Sequence, residues 1–127
     1  MPLVRIDLAA GRTTDEREEI SKVIYDAMLE TLNVPKDDRF QIVSEHPAEN
    51  FVINPTYFGI ERTADCVVIQ IFLSEGRTVE TKRAFYRAVA DGLHRRAGLR
   101  REDVFINLVE VTKENWSFGN GEAQYVQ

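Results

Sequence analysis

The chain has 127 residues, a size that suits one compact domain or two small fused halves. Its net charge is −5, with lysines and arginines scattered and no basic stripe among the aromatics, which argues against nucleic acid as a partner. A lone cysteine, Cys66, excludes an internal disulfide and a cysteine-based metal site. No run is apolar or long enough to span a membrane or act as a secretion signal, so a cytoplasmic location is expected.

The first predicted strand is Pro2-Leu3-Val4-Arg5-Ile6-Asp7-Leu8, where Val4, Ile6 and Leu8 alternate with Leu3, Arg5 and Asp7. Pro2 admits two readings. It can simply start an edge strand, where its missing N–H costs nothing. Alternatively, removal of Met1 makes it a secondary amine, and an α-amino group titrates near ~7.7–8, close to neutrality. After the turn Gly11-Arg12-Thr13, the spacing of Thr13 and Glu16 predicts a capping box and a helix. Its apolar face is Ile20, Val23, Ile24, Ala27, Met28 and Leu32, and Asn33 and Pro35 end it. Residues 39–45 read as the second strand. The connector, residues 46–65, is broken at His46-Pro47 and Asn54-Pro55, while Phe51-Val52-Ile53 and Tyr57-Phe58 offer side chains for packing. Residues 66–73 form the third strand, whose near-continuous apolar character predicts burial on both faces. Thr78 caps a second helix with Ala84, Phe85, Ala88, Val89 and Leu93 on its apolar face, and Gly98 closes it. Residues 104–111 are the fourth strand. The tail, residues 112–127, carries Trp116, Phe118 and Tyr125 around Asn120-Gly121, a hairpin-type turn signal. Those aromatics cover a core or an interface, or line a pocket.

A shift of 65 residues superposes the chain on itself. Gly11-Arg12-Thr13 lands on Gly76-Arg77-Thr78, Ile6 on Ile71, Leu8 on Leu73 and Asp26 on Asp91. Asp38 lands on Asp103, Phe40 on Phe105 and Glu45 on Glu110. The chain is therefore one domain, residues 1–127, with an internal repeat at 2–45 and 67–110. The expected fold is α/β (α+β). Two fused β-α-β units, each a parallel strand pair with a right-handed crossover, form a four-stranded sheet with both helices on one face. The other face is uncovered, which predicts a homo-oligomer.

Met1-Pro2-Leu3, the duplicated unit, Val34-Pro35-Lys36-Asp37-Asp38-Arg39-Phe40-Gln41, Phe85-Tyr86 and Asn115-Trp116-Ser117-Phe118-Gly119 together resemble the tautomerase superfamily, and within it the malonate semialdehyde decarboxylase group. The resemblance covers essentially the whole chain. It implies a tautomerase fold like that of macrophage migration inhibitory factor, a homotrimer, and a site around the amino-terminal proline with no metal or organic cofactor. In the decarboxylases an aspartate, two arginines and a wall of tail aromatics accompany the proline. Asp38 matches the aspartate and Arg77 the second arginine; Trp116, Phe118 and Tyr125 match the wall. Glu75 stands in the place of the first arginine.

The resemblance therefore implies Pro2, Asp38 and Arg77 as catalytic residues, with Arg77, Glu75, Trp116, Phe118 and Tyr125 lining the substrate site. A neutral Pro2 would move a proton alpha to a carbonyl; a cationic Pro2 would polarise a carbonyl or protonate a carbanion. Arg77 pulls towards the first state, Asp38 and an inward Glu75 towards the second. A guanidinium fork suits a substrate carboxylate, yet Arg77 has a repeat mate, Arg12, in the same kind of turn. Asp38 likewise repeats as Asp103, which leaves a shared structural role open, and Glu75 is either a solvated turn residue or a pocket residue. Arg12 and Arg39 are secondary candidates. His46 and His94 lack metal-ligand spacing; His94 falls on the polar side of its helix, and His46, a loop histidine without a partner, is only a secondary candidate for lining a pocket. The expected function is keto–enol tautomerisation of a small 2-oxo acid or related carbonyl compound. Decarboxylase or hydratase activity is the enzymatic alternative, and a binding or signalling role on the same scaffold the non-enzymatic one.

Overall fold

The computed structural model describes residues 2–127; Met1, whose removal the amine reading of Pro2 requires, lies outside the described residues. The elements are β1 (Leu3–Ala9), α1 (Thr14–Thr31), β2 (Gln41–His46), β3 (Thr56–Tyr57), β4 (Ile60–Glu61), β5 (Val67–Ser74), α2 (Val79–Ala97) and β6 (Val104–Val111). β1 runs parallel to β2 and β5 parallel to β6, each pair linked by its helix, and β1 meets β5 antiparallel, giving the order β2-β1-β5-β6. This is the expected α+β architecture.

The pairing of β1 with β5 explains the repeat geometrically. Arg5 pairs with Gln70, the residue 65 positions on and so its own mate. A pseudo-twofold axis passes between them. The correspondence also runs further than the strands: the 3-10 turn Ala48–Asn50 recurs 65 residues later as Lys113–Asn115. Glu49-Asn50 falls on Glu114-Asn115, and Phe51 on Trp116. The start of the connector and the start of the tail are thus counterparts, although both were expected to stand outside the repeat.

The helix ends follow the sequence signals. Thr13 Oγ accepts from Glu16 N at 3.1 Å while the Glu16 carboxylate accepts from Thr13 N at 2.9 Å, a complete capping box. Thr78 Oγ accepts from Thr81 N at 3.2 Å at the head of α2. Both helices end in the left-handed region at matched positions, Asn33 (φ 56°) and Gly98 (φ 69°). Val4, Ile6 and Leu8 of β1 and Val67, Ile69, Ile71 and Leu73 of β5 are buried against Ile24, Met28, Phe85 and Val89. The helices approach so closely that a Cβ on Gly92 would stand 2.7 Å from Val23 Cγ1. Arg96 of α2 ties them together outside the core, reaching Glu19 at 3.0 Å and Asp26 at 2.8 Å.

Several expectations change. The second strand runs from Gln41 to His46 rather than over 39–45. β5 is not buried on both faces; fully buried and half-buried residues alternate along it. The face away from the helices carries polar pairs amid the apolar residues: His46 Nε2 lies 2.6 Å from Asp7 Oδ1, and Gln70 Nε2 donates to Asn107 Oδ1 at 3.0 Å. His46 also stacks on Phe51 at 5.8 Å, so this strand residue already has partners. Finally, Asn120-Gly121 makes its turn (φ 61° and 71°), but no strands flank it. The Gln124 amide takes the backbone groups that pairing would use, accepting from Phe118 N at 2.9 Å and donating to Gly119 O at 2.8 Å. The chain's small hairpin is instead β3–β4 in the connector, turning at Phe58-Gly59, and Phe58 at its tip is 88% exposed rather than packed.

Candidate active site

Strand direction gathers the candidates. The starts of β1 and β2 and the ends of β5 and β6 all lie at one end of the sheet. Pro2 is buried just ahead of β1. Val4 N donates to Phe40 O at 2.9 Å, which draws the segment 38–40 alongside the head of β1. On the other side Leu3 pairs with Phe72, so Pro2 continues the register towards Leu73 and the turn that follows β5.

Asp38 is half-buried, in a turn closed by its own N–H on Pro35 O at 3.2 Å. Its mate Asp103 sits in the same turn, with its N–H on Arg100 O at 3.0 Å. Asp103 is buried, and both its oxygens are taken by one residue: Oδ1 accepts from Thr63 N at 2.7 Å and Oδ2 from Thr63 Oγ at 2.6 Å. The structural role left open for the acid pair is thus filled at Asp103.

Arg77 is half-buried, and its guanidinium donates three bonds to backbone: Nε and Nη2 to Leu32 O at 3.3 and 3.1 Å, and Nη1 to Ser74 O at 3.1 Å. It staples the open end of α1 to the end of β5, satisfying a carbonyl the helix leaves unpaired. Two of its five N–H groups remain for a ligand. The mate Arg12 instead donates to Asp65 O at 2.6 Å.

Glu75 is exposed; its N–H holds Val111 O at 3.0 Å. It lines an open cleft of about 510 Å³ with Ser74, Lys113, Glu114 and Val126. The aromatics form one cluster: Trp116 stacks on Phe118 at 5.6 Å, and Phe118 meets Tyr125 edge-on at 4.9 Å. Trp116 Nε1 is buried with no hydrogen-bond partner. Glu75 thus shares its cleft with the tail residues Lys113, Glu114 and Val126, Arg77 is turned to Leu32 and Ser74, and Asp38 lies beside the head of β1, while the aromatics pack on one another. Lys113, in the cleft with Glu75, escaped the sequence reading; its match to Ala48 across the repeat was the available signal.

Arg39 is exposed, holding Gln41 at 3.0 Å and lying over the Tyr25 ring at 4.9 Å. His94 is exposed and bonded to Leu99 O at 2.9 Å. Cys66 is buried, and burial, reinforced by the charge of Asp103, pushes its thiol up, which keeps it inert at neutral pH.

A sheet of two β-α-β units about a pseudo-twofold, with both helices on one face, is the fold that the sequence resemblance implies. Comparison with known proteins agrees. Two family profiles, both described as tautomerase enzyme, match residues 38–119 and 2–60. The chain belongs to the tautomerase family. It is 41% identical, over the full length of both chains, to the probable tautomerase YusQ of Bacillus subtilis (strain 168), and 38% identical to the probable tautomerase YrdN of the same organism over 99% of this chain and 97% of that one. Among solved structures, a malonate semialdehyde decarboxylase studied for its decarboxylase and hydratase activities superposes with a TM-score of 0.89 at 32% identity, covering 97% of this chain and 95% of that one. The FG41 malonate semialdehyde decarboxylase inhibited by 3-bromopropiolate gives 0.90 at 38% identity, covering 98% and 94%. A fused 4-OT symmetric trimer shares the fold at 22% identity and a TM-score of 0.78, covering 97% of each chain.

Proposed function

We propose that this tautomerase-family enzyme uses Pro2, freed by removal of Met1, to move a proton alpha to the carbonyl of a small 2-oxo acid. The observation that carries the reading is the burial of Pro2 at the sheet end to which the turn before β2, with Asp38, and the turn after β5, with Glu75 and Arg77, also belong. Burial disfavours a charged amine, so a freed Pro2 is held towards its neutral, basic form. The neutral nitrogen takes a proton from the substrate enol oxygen and returns one to the adjacent carbon, leaving the keto form; no group is lost or gained. The two N–H groups left on Arg77 meet the substrate carboxylate, Asp38 orients the amine, and Trp116, Phe118 and Tyr125 bound the apolar end. No cofactor takes part in this scheme.

A decarboxylase or hydratase is the second reading, favoured by the two semialdehyde decarboxylases at 32% and 38% identity. Against it stands Glu75 in the place where the decarboxylases carry an arginine. The half-buried open sheet face supports assembly of the chain as a homotrimer. Phenylpyruvate ketonisation and malonate semialdehyde decarboxylation, measured side by side on wild-type and Pro2→Ala chains, test the choice. Ketonisation that survives Pro2→Ala, or an intact mass that retains Met1, overturns the amine reading.

A further inference from the structure

The pseudo-twofold that places one candidate site at the Pro2 end generates a counterpart at the other. Two clefts lie there, of about 430 and 260 Å³, and they adjoin along Ala9, Thr63 and Ala64. The smaller is walled by Phe51 and Ile53, the repeat mates of Trp116 and Phe118, together with Pro55 and Arg62. The larger contains Arg12 and Asp103, the mates of Arg77 and Asp38.

Charged groups of this end have polar partners: Arg12 donates to Asp65 O, Arg100 to Glu102 at 2.9 Å, and Asp103 is closed by Thr63. Arg62 differs from them. Its backbone N–H holds Pro55 O at 2.7 Å and its guanidinium carbon lies 5.7 Å from the centre of the Phe105 ring, which fixes the side chain in place. Yet its Nε is buried with no hydrogen-bond partner, and among the described residues its guanidinium has no ion pair. Buried charged donors are seldom left so, and a carboxylate is the group whose planar pair of oxygens matches a guanidinium fork. The neighbouring wall is apolar: Phe51 is braced by stacking on His46, and Ile53 and Pro55 complete it.

We propose that the Arg62 cleft is a second ligand site, which takes a monocarboxylate with a small apolar body, an aryl or branched-alkyl acid, with the carboxylate on Arg62 and the body against Phe51 and Ile53. It binds without turning over. The position matched to Pro2 is Val67, whose nitrogen is an amide inside β5 and has no basicity, and the acid matched to Asp38 is closed by Thr63. The proposal does not depend on the charge or role of Pro2.

The test is a titration of the intact protein with phenylacetate, read on the Ile53 methyl NMR resonance, assigned through Ile53→Val. A saturable shift is expected in the wild-type and Pro2→Ala chains, and binding about tenfold or more weaker in Arg62→Gln, the loss of a charge-assisted contact. Arg62→Lys, which keeps the charge but not the fork, should fall between. If the Arg62 variants do not fold, the wild-type chain alone decides: neutral phenylacetamide must shift Ile53 far less than phenylacetate. Equal response to the amide, unchanged affinity in Arg62→Gln, loss of the shift in Pro2→Ala, or no response because an acid of a neighbouring copy occupies Arg62, each overturns the proposal.

Discussion

The two ends of the sheet carry the same residue types 65 positions apart and differ in how they treat them. At the Arg12 end the connector enters β5 and delivers Thr63 and Asp65 to the acid and the arginine: Asp103 takes both donors of Thr63, and Arg12 reaches Asp65 O. At the Arg77 end β1 is preceded by Pro2, and Arg77 turns to the carbonyls of Leu32 and Ser74. The contrast teaches that the partners of an identical Asp or Arg are set by which backbone passes beside it.

Matched substitutions at repeat mates sharpen the comparison. The largest effect is expected from Pro2→Ala, a loss of about 10²–10⁴-fold in kcat/KM for ketonisation, the range that general acid–base groups supply. Its counterpart Val67→Ala should leave turnover intact and lower unfolding free energy by about 1–2 kcal/mol, read by urea denaturation. Asp103→Ala strands the Thr63 donors and should cost about 2–3 kcal/mol, whereas Asp38→Ala is expected to read out in turnover. Gly92→Ala drives a methyl against the stiff Val23 side chain and should cost about 1–3 kcal/mol; Ala27, its repeat mate, already carries that methyl.

The smallest effect is a pH dependence. A hydrogen bond from Lys82 holds the Glu110 carboxyl below its usual range, and bonds to the Thr13 backbone and hydroxyl do the same for Glu16. A carboxyl lowered on folding contributes stability above its unfolded value, about 4.3, and loses that contribution as pH falls through the folded value. The urea midpoint should therefore hold from neutrality to about pH 5 and fall below it. Lys82→Met should remove only the Glu110 share of that fall. A midpoint that rises on acidification would contradict the assignment.

Much of this was legible in the sequence because it rests on local chemistry. The capping box at Thr13 and Glu16, the left-handed ends at Asn33 and Gly98, and the alternation of Val4, Ile6 and Leu8 each follow from a few neighbouring residues. The bounds of β6 were legible to the residue. Contacts between distant segments were not. Nothing near Arg77 in sequence announces that its guanidinium caps Leu32, and nothing near His46 names Asp7. The tail misled because Asn120-Gly121 encodes a turn but not its flanks; the Gln124 amide decides those. The correspondence of Phe51 with Trp116 was present in Glu49-Asn50 and Glu114-Asn115, too short a match to weigh beside the longer one.

The β1–β5 pairing carries a last consequence. The two halves meet through that central seam and through the contact of α1 with α2, while the hairpin tip at Phe58-Gly59 stands exposed in the link between them. The covalent link then acts as a tether: it raises the effective concentration of one half around the other, by an amount on the order of millimolar for a short flexible linker. Fragments 2–58 and 59–127 should accordingly recombine when mixed well above that tether's equivalent dilution, restoring the seam with Arg5 opposite Gln70. In that light the chain behaves as an intramolecular heterodimer of two similar halves.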